Sequence, residues 1–84
     1  MCQISVHYAT IAHMEPILRR RFGERFKSLR QASGLSQEAF ADKVGFARTY
    51  MSRIETGRAN VSLDAIDVLA SGLGITVSEL FLEL

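Results

Sequence analysis

Arg48, Thr49, Ser52 and Arg53 stand at steps of one, three and one along the chain. On an α-helix that spacing gathers the four side chains on one face. Two guanidinium groups and two hydroxyls make a set of hydrogen-bonding groups without a nucleophile–base pair. Such a face reads hydrogen-bonding edges rather than breaking bonds. The major groove of duplex DNA admits one α-helix and displays edges of this kind. An arginine fork matches O6 and N7 of guanine, and a threonine can touch a thymine methyl or exchange a hydrogen bond. Met51 and Ile54 fall on another face of the same helix, where they can be buried.

Several elements must hold that helix in place. The spacing predicts one helix from about Gln37 to Val44 and a second from about Arg48 to Glu55. Gly45 lies between them, where the chain turns sharply and a residue without a Cβ costs least. Ser36 is placed to cap the first of the pair. Phe40, Ala41 and Val44 form its expected buried side, and the small Ala41 lets the next helix cross closely. Upstream, Leu18, Phe22, Phe26 and Leu29 recur at helical steps in a helix expected to start near Glu15-Pro16 and to end at Gly34. Gly23 lies inside it, at a cost of about 1 kcal/mol relative to alanine.

Downstream, Thr56-Gly57 ends the arginine-bearing helix and Arg58-Ala-Asn-Val61 forms a short loop. Ser62 is the next cap, with Asp64 in the first turn, where the helix dipole favours an acid. Leu63, Ile66, Leu69, Ala70 and Leu73 then recur at helical spacing up to Gly74. Thr76-Val-Ser-Glu79 fits a capping box for a last short helix. The expected fold is all-α, with five short helices. Residues 15–84 form one domain around a helix–turn–helix core at 36–57, and residues 1–14 form an arm or tail.

Composition bounds the function. Eighty-four residues make one domain, and 48% hydrophobic content is ample for a packed core. A chain this short buries a modest core and gains from good packing or oligomerisation. The net charge of +1 hides an asymmetry. Residues 19–58 hold all ten Lys and Arg against four acids, a net of +6, whereas residues 59–84 hold four acids and no base. A basic segment followed by an acidic one suggests a side that faces a polyanion and a side that faces away, and a solvated basic helix is the plainer alternative.

The single cysteine, Cys2, excludes an intramolecular disulfide and points to a reducing compartment. No run reaches the length of a membrane span and no start resembles a signal peptide, so a cytoplasmic location is expected. His7 and His13, with only Glu15 nearby, do not make a metal site. No catalytic pair, metal cluster or phosphate-cradling glycine loop is visible. The chain is therefore not expected to be an enzyme, and no cofactor, metal or small-molecule ligand is implied.

Four segments together resemble one family. They are Leu29-Arg-Gln-Ala-Ser-Gly-Leu-Ser-Gln-Glu38, Ala41-Asp-Lys-Val-Gly45, Ser52-Arg-Ile-Glu-Thr-Gly-Arg58 and Ser62-Leu-Asp-Ala-Ile-Asp-Val-Leu-Ala-Ser-Gly-Leu-Gly74. Over about residues 17–82 the chain resembles the phage-repressor-like helix-turn-helix family that includes Cro and lambda repressor. In size it is similar to stand-alone regulators such as the controller proteins of restriction–modification systems.

The resemblance implies a five-helix domain that binds operator DNA as a two-fold dimer. It places Arg48, Thr49 and Arg53 at base-facing positions, and Ser52 shares their face. Backbone phosphates are expected to meet Ser36, Gln37, Arg58 and Asn60. Tyr50 has two readings, a ring packed at the helix edge and a hydroxyl that reaches phosphate. Arg30 and Glu55 match a buried or half-buried salt bridge. Arg19, Arg20 and Arg21 lie before the motif and are either backbone-approaching or solvated.

Two parts of the chain stay open. Residues 1–14 have no counterpart in the motif; they form a tail, an arm that pairs with a partner subunit, or the product of an upstream start codon with Met14 as the natural start. The C-terminal Leu80, Phe81, Leu82 and Leu84 are apolar nearly all round. They either close the core or form a subunit interface through Leu80, Phe81 and Leu84. The expected function is a sequence-specific double-stranded DNA-binding transcriptional regulator, a homodimeric repressor or autoregulator reading inverted half-sites. The alternative is a protein-interaction module, an antitoxin or adaptor, on the same fold.

Overall fold

The protein is described by a computed structural model covering residues 17–82 and 84. The expectations for residues 1–14, and for a helix start at Glu15-Pro16, lie outside these residues. Among the described residues five helices follow in order: α1 (Ile17–Ala32), α2 (Gln37–Val44), α3 (Arg48–Glu55), α4 (Leu63–Leu73) and α5 (Val77–Leu80). The bounds of α2 and α3 are those that the sequence spacing predicts.

Local chemistry starts and stops these helices. The hydroxyl of Ser36 accepts the backbone N–H of Ala39 at 3.0 Å, and that of Ser62 accepts the N–H of Ala65 at 3.1 Å. Each satisfies one of the amides that a helix leaves unpaired in its first turn. Gly45 ends α2 in the left-handed conformation, at φ +79°. Most other residues would pay a steric cost there, and the turn into α3 depends on that geometry. Thr76 and Glu79 complete the expected capping box of α5. The Thr76 backbone N–H and then its hydroxyl hold the Glu79 carboxyl below its ordinary range. The cap is therefore intact at neutral pH and is released only as pH falls through that lowered value.

The core is built from Phe22 and Phe26 of α1, Phe40 of α2, Met51 and Ile54 of α3, Leu69 of α4 and Leu80 of α5. Phe26 and Phe40 meet edge to face with centroids 5.2 Å apart, a favoured aromatic geometry. Phe22 lies 5.2 Å from Phe81, which joins the start of the fold to its end.

Two residues of the apolar stripes lie at the surface. Leu18 is 59% exposed and Leu63 is 83% exposed. Both stand in the first turn of their helices as described, beyond the reach of the packed stripe. Helical spacing identifies a face but not where along the helix the neighbouring layer ends.

Gly23 has a structural purpose that its helix cost conceals. A Cβ there would run into the Ile54 carbonyl oxygen and come within 2.9 Å of the Glu55 carbonyl oxygen. The backbone of α1 thus rides directly on the last turn of α3. In a free helix Gly→Ala stabilises by about 1 kcal/mol. Here Gly23→Ala is expected to reverse that sign and destabilise by about 1–3 kcal/mol, as overpacking does. Urea unfolding checks this; a midpoint at or above the wild-type value would refute the close contact.

Candidate nucleic-acid interface

Arg30 projects from the last turns of α1 into the angle between α2 and α3. Its Nε donates to Glu55 Oε2 at 2.6 Å and its Nη2 donates to Glu55 Oε1 at 3.0 Å. The pair is buried, with Arg30 7% and Glu55 6% exposed. A third guanidinium nitrogen, Nη1, donates to the Leu35 carbonyl at 2.8 Å, just before α2. The hydrogen bond to Glu55 pushes the arginine further above its already high range, against the opposing effect of burial. The salt bridge that the resemblance implies is therefore present, and it is bidentate.

Gln37 joins the same carboxylate. Its Nε2 donates to Glu55 Oε1 at 3.2 Å. A carboxylate only accepts, so the amide must turn its nitrogen toward Glu55. The resemblance implies a phosphate role for Gln37 and does not reveal this contact with Glu55. The two residues are 18 positions apart, and neither type nor spacing signals the contact.

The outer faces of α2 and α3 leave a cleft of about 230 Å³ lined by Gln37, Arg48, Thr49 and Ser52. Arg48 and Thr49 are exposed and Ser52 is half-buried. The cleft therefore unites three of the four expected base-facing side chains with Gln37. Arg53 is exposed but lies apart from it. Its Nη2 donates to the Arg58 carbonyl at 3.2 Å, toward the loop that follows α3.

The expected phosphate-side residues occupy two flanks. Ser36 and Gln37 open α2. Arg58 and Asn60 are exposed on either side of Ala59, which is buried. The Ser36 hydroxyl is committed as an acceptor in its cap, and its own hydrogen remains free to be donated. Tyr50 is half-buried and packs edge to face on Phe46, with centroids 5.2 Å apart. Its ring thus has the packing place that the first of its two readings gave it.

The C-terminal interface expectation needs one correction. Leu80 is fully buried in the core of its own chain and is not available to a second subunit. Phe81 and Leu84 are half-buried, and Leu82 is 56% exposed. A helix of four residues cannot hide all its neighbours, so the core takes one leucine and leaves the next residues at the surface.

Residues 21–81 match the protein family described as Helix-turn-helix domain. The chain belongs to that family. It is 49% identical over 65 residues to control protein C.MunI of a Mycoplasma species, covering 76% of this chain and 88% of the relative. Among solved structures, the restriction–modification controller protein C.AhdI of Aeromonas hydrophila aligns with a TM-score of 0.69 at 48% identity, covering 71% of this chain and 91% of the other. The biofilm master regulator SinR, solved in complex with DNA, aligns with a TM-score of 0.65 at 32% identity, covering 70% and 95% of the two chains. Among the described residues, no helix is long and apolar enough to cross a membrane.

Removing either partner of the buried pair leaves an uncompensated charge, which typically costs about 3–5 kcal/mol. Arg30→Ala and Glu55→Ala should each destabilise by that amount in chemical denaturation. The double variant Arg30→Met with Glu55→Leu should recover most of the loss. If the single variants unfold at the wild-type midpoint, the pair does not hold the helices together.

Proposed function

We propose that this protein is a sequence-specific double-stranded DNA-binding regulator of transcription that acts as a homodimer on inverted half-sites. It works by binding rather than by catalysis. The single observation that carries this reading is the cleft of Gln37, Arg48, Thr49 and Ser52 at the outward faces of α2 and α3. The control proteins and the DNA-bound regulator to which the chain is similar support it.

Bases would be read by the start of α3, which enters the major groove with Arg48 and Thr49 leading. Ser52 would line the floor of the contact and Arg53 would reach a base one turn further on. Ser36 and Gln37 on one flank, and Arg58 and Asn60 on the other, would hold phosphates and set the register. Such contacts supply affinity and orientation without carrying sequence directly. Repression would follow from occupying a promoter, with no further domain required.

One recognition helix covers one half-site. Two half-sites about one helical turn apart require two copies related by a two-fold axis. The surface best suited to join them is the apolar group of the exposed Leu82 with the half-buried Phe81 and Leu84, with Leu18 nearby in the fold through its cleft with Phe81. Because Leu80 belongs to the core, point substitution at Leu82 tests this surface without unfolding the chain.

Selection of bound sites from random-sequence duplex DNA is the direct test. Paired inverted half-sites are the expected product, and recovery of unenriched sequence would refute specific recognition. Arg48→Ala and Arg53→Ala should each relax preference at one base pair, worth about 1–3 kcal/mol of discrimination. Equal losses on selected and random duplexes would instead make them phosphate contacts. Leu82→Ser should weaken self-association in sedimentation while leaving the helical circular-dichroism signal at room temperature unchanged; an unaltered dimer constant would move the interface elsewhere.

A further inference from the structure

Of the three consecutive arginines at the start of α1, the fold sets Arg19 apart. With Asn60 it lines a cleft of about 140 Å³ between α1, the loop after α3, α4 and Phe81. It is half-buried, whereas Arg20 and Arg21 are exposed. No carboxylate among the described residues pairs with Arg19.

The loop beside Arg19 is held rigidly. The N–H groups of Arg58 and Ala59 both donate to the Arg53 carbonyl, at 2.8 and 3.1 Å. Ala59 is only 4% exposed and anchors the loop in the core. Gly57, at φ +77°, lies so close to α1 that a Cβ would come within 2.8 Å of the Arg20 Cα. The loop is thus pinned to the first turn and a half of α1. Arg58 and Asn60 are exposed on either side of the anchored Ala59, and Arg19 lines the same cleft as Asn60.

We infer that Arg19 is a DNA-phosphate contact that completes, with Arg58 and Asn60, a clamp at the carboxyl end of the recognition helix. The inference rests on the DNA-binding reading above and adds α1 to the bound surface. If α3 lies in the groove, residues just beyond its end meet the groove wall, which is the sugar–phosphate backbone. Asn60 offers that backbone an amide donor without charge. An arginine beside it supplies the charge, in a planar fork suited to phosphate oxygens. Arg19 is half-buried at the cleft, so less rotational freedom is lost on binding than at a fully solvated arginine.

Salt titration of binding tests the assignment, with mixed-sequence duplex DNA and a selected site as probes. Arg19→Ala should lower affinity by the same factor on both duplexes and should reduce the slope of log K against log salt by about 0.9, the value of one neutralised phosphate. Arg19→Lys should keep the slope, and Arg19→Glu should reduce it further. Thermal melting of each variant confirms that it is folded. An unchanged slope for folded Arg19→Ala would overturn the inference. So would a weakened dimer in sedimentation with the slope intact, because Arg19 would then serve a subunit contact. Absence of salt-dependent binding by the wild-type protein itself would instead refute the DNA-binding reading, so the two failures are distinct.

Discussion

The Glu55 carboxylate ends α3 and receives hydrogen bonds from two other helices. Arg30 of α1 grips both its oxygens, and Gln37 at the start of α2 shares one of them. Arg30 also holds the Leu35 carbonyl in the strand of chain that leads into α2. One buried anion therefore sets the mutual placement of α1, α2 and α3. A buried charge is stable only when paired and hydrogen-bonded, so these partners have little freedom to leave. The apolar core alone would allow helices to slide by small amounts at little cost. The directional bonds to Glu55 restrict that sliding where α1, α2 and α3 meet.

Close backbone approach makes this arrangement possible. Gly23 brings α1 onto the carbonyls of Ile54 and Glu55. With any side chain at that position, α1 would stand away from α3 and the Arg30 fork would meet Glu55 at a different angle. The same contact lines up the start of α1 with the loop that follows α3. Packing, the salt bridge and the proposed phosphate clamp thus share one helix–helix contact. They are expected to respond together when it is disturbed.

The outer surface divides in the same spatial logic. Arg48, Thr49 and Ser52 share a cleft with Gln37, whereas Arg53 leans toward Arg58. The four residues are one face by helical periodicity, but their side chains separate into a leading group and a trailing one. That division suits a helix whose first turn meets bases and whose far end approaches the backbone. The apolar residues Phe81, Leu82 and Leu84 follow the acidic helices α4 and α5, and Phe81 borders the cleft that Arg19 and Asn60 also line.

How much of this was legible in the residues follows from the range of the interactions. Caps, turns and helical stripes are local: Ser36, Gly45, Ser62 and the Thr76–Glu79 box act on neighbours within a few positions, so type and spacing sufficed to place α2, α3 and α5. The all-α fold and the face of Arg48, Thr49, Ser52 and Arg53 follow from the same short-range rules, and the Arg30–Glu55 pair came from family resemblance rather than from spacing. Contacts between distant segments were not legible. The link from Gln37 to Glu55, the purpose of Gly23, the burial of Leu80 and exposure of Leu18 and Leu63, and the cleft that Arg19 and Asn60 share all depend on parts of the chain that only packing brings together. Periodicity states which side of a helix is apolar; the tertiary structure alone decides what stands opposite it, because that depends on the volumes and angles of every other helix.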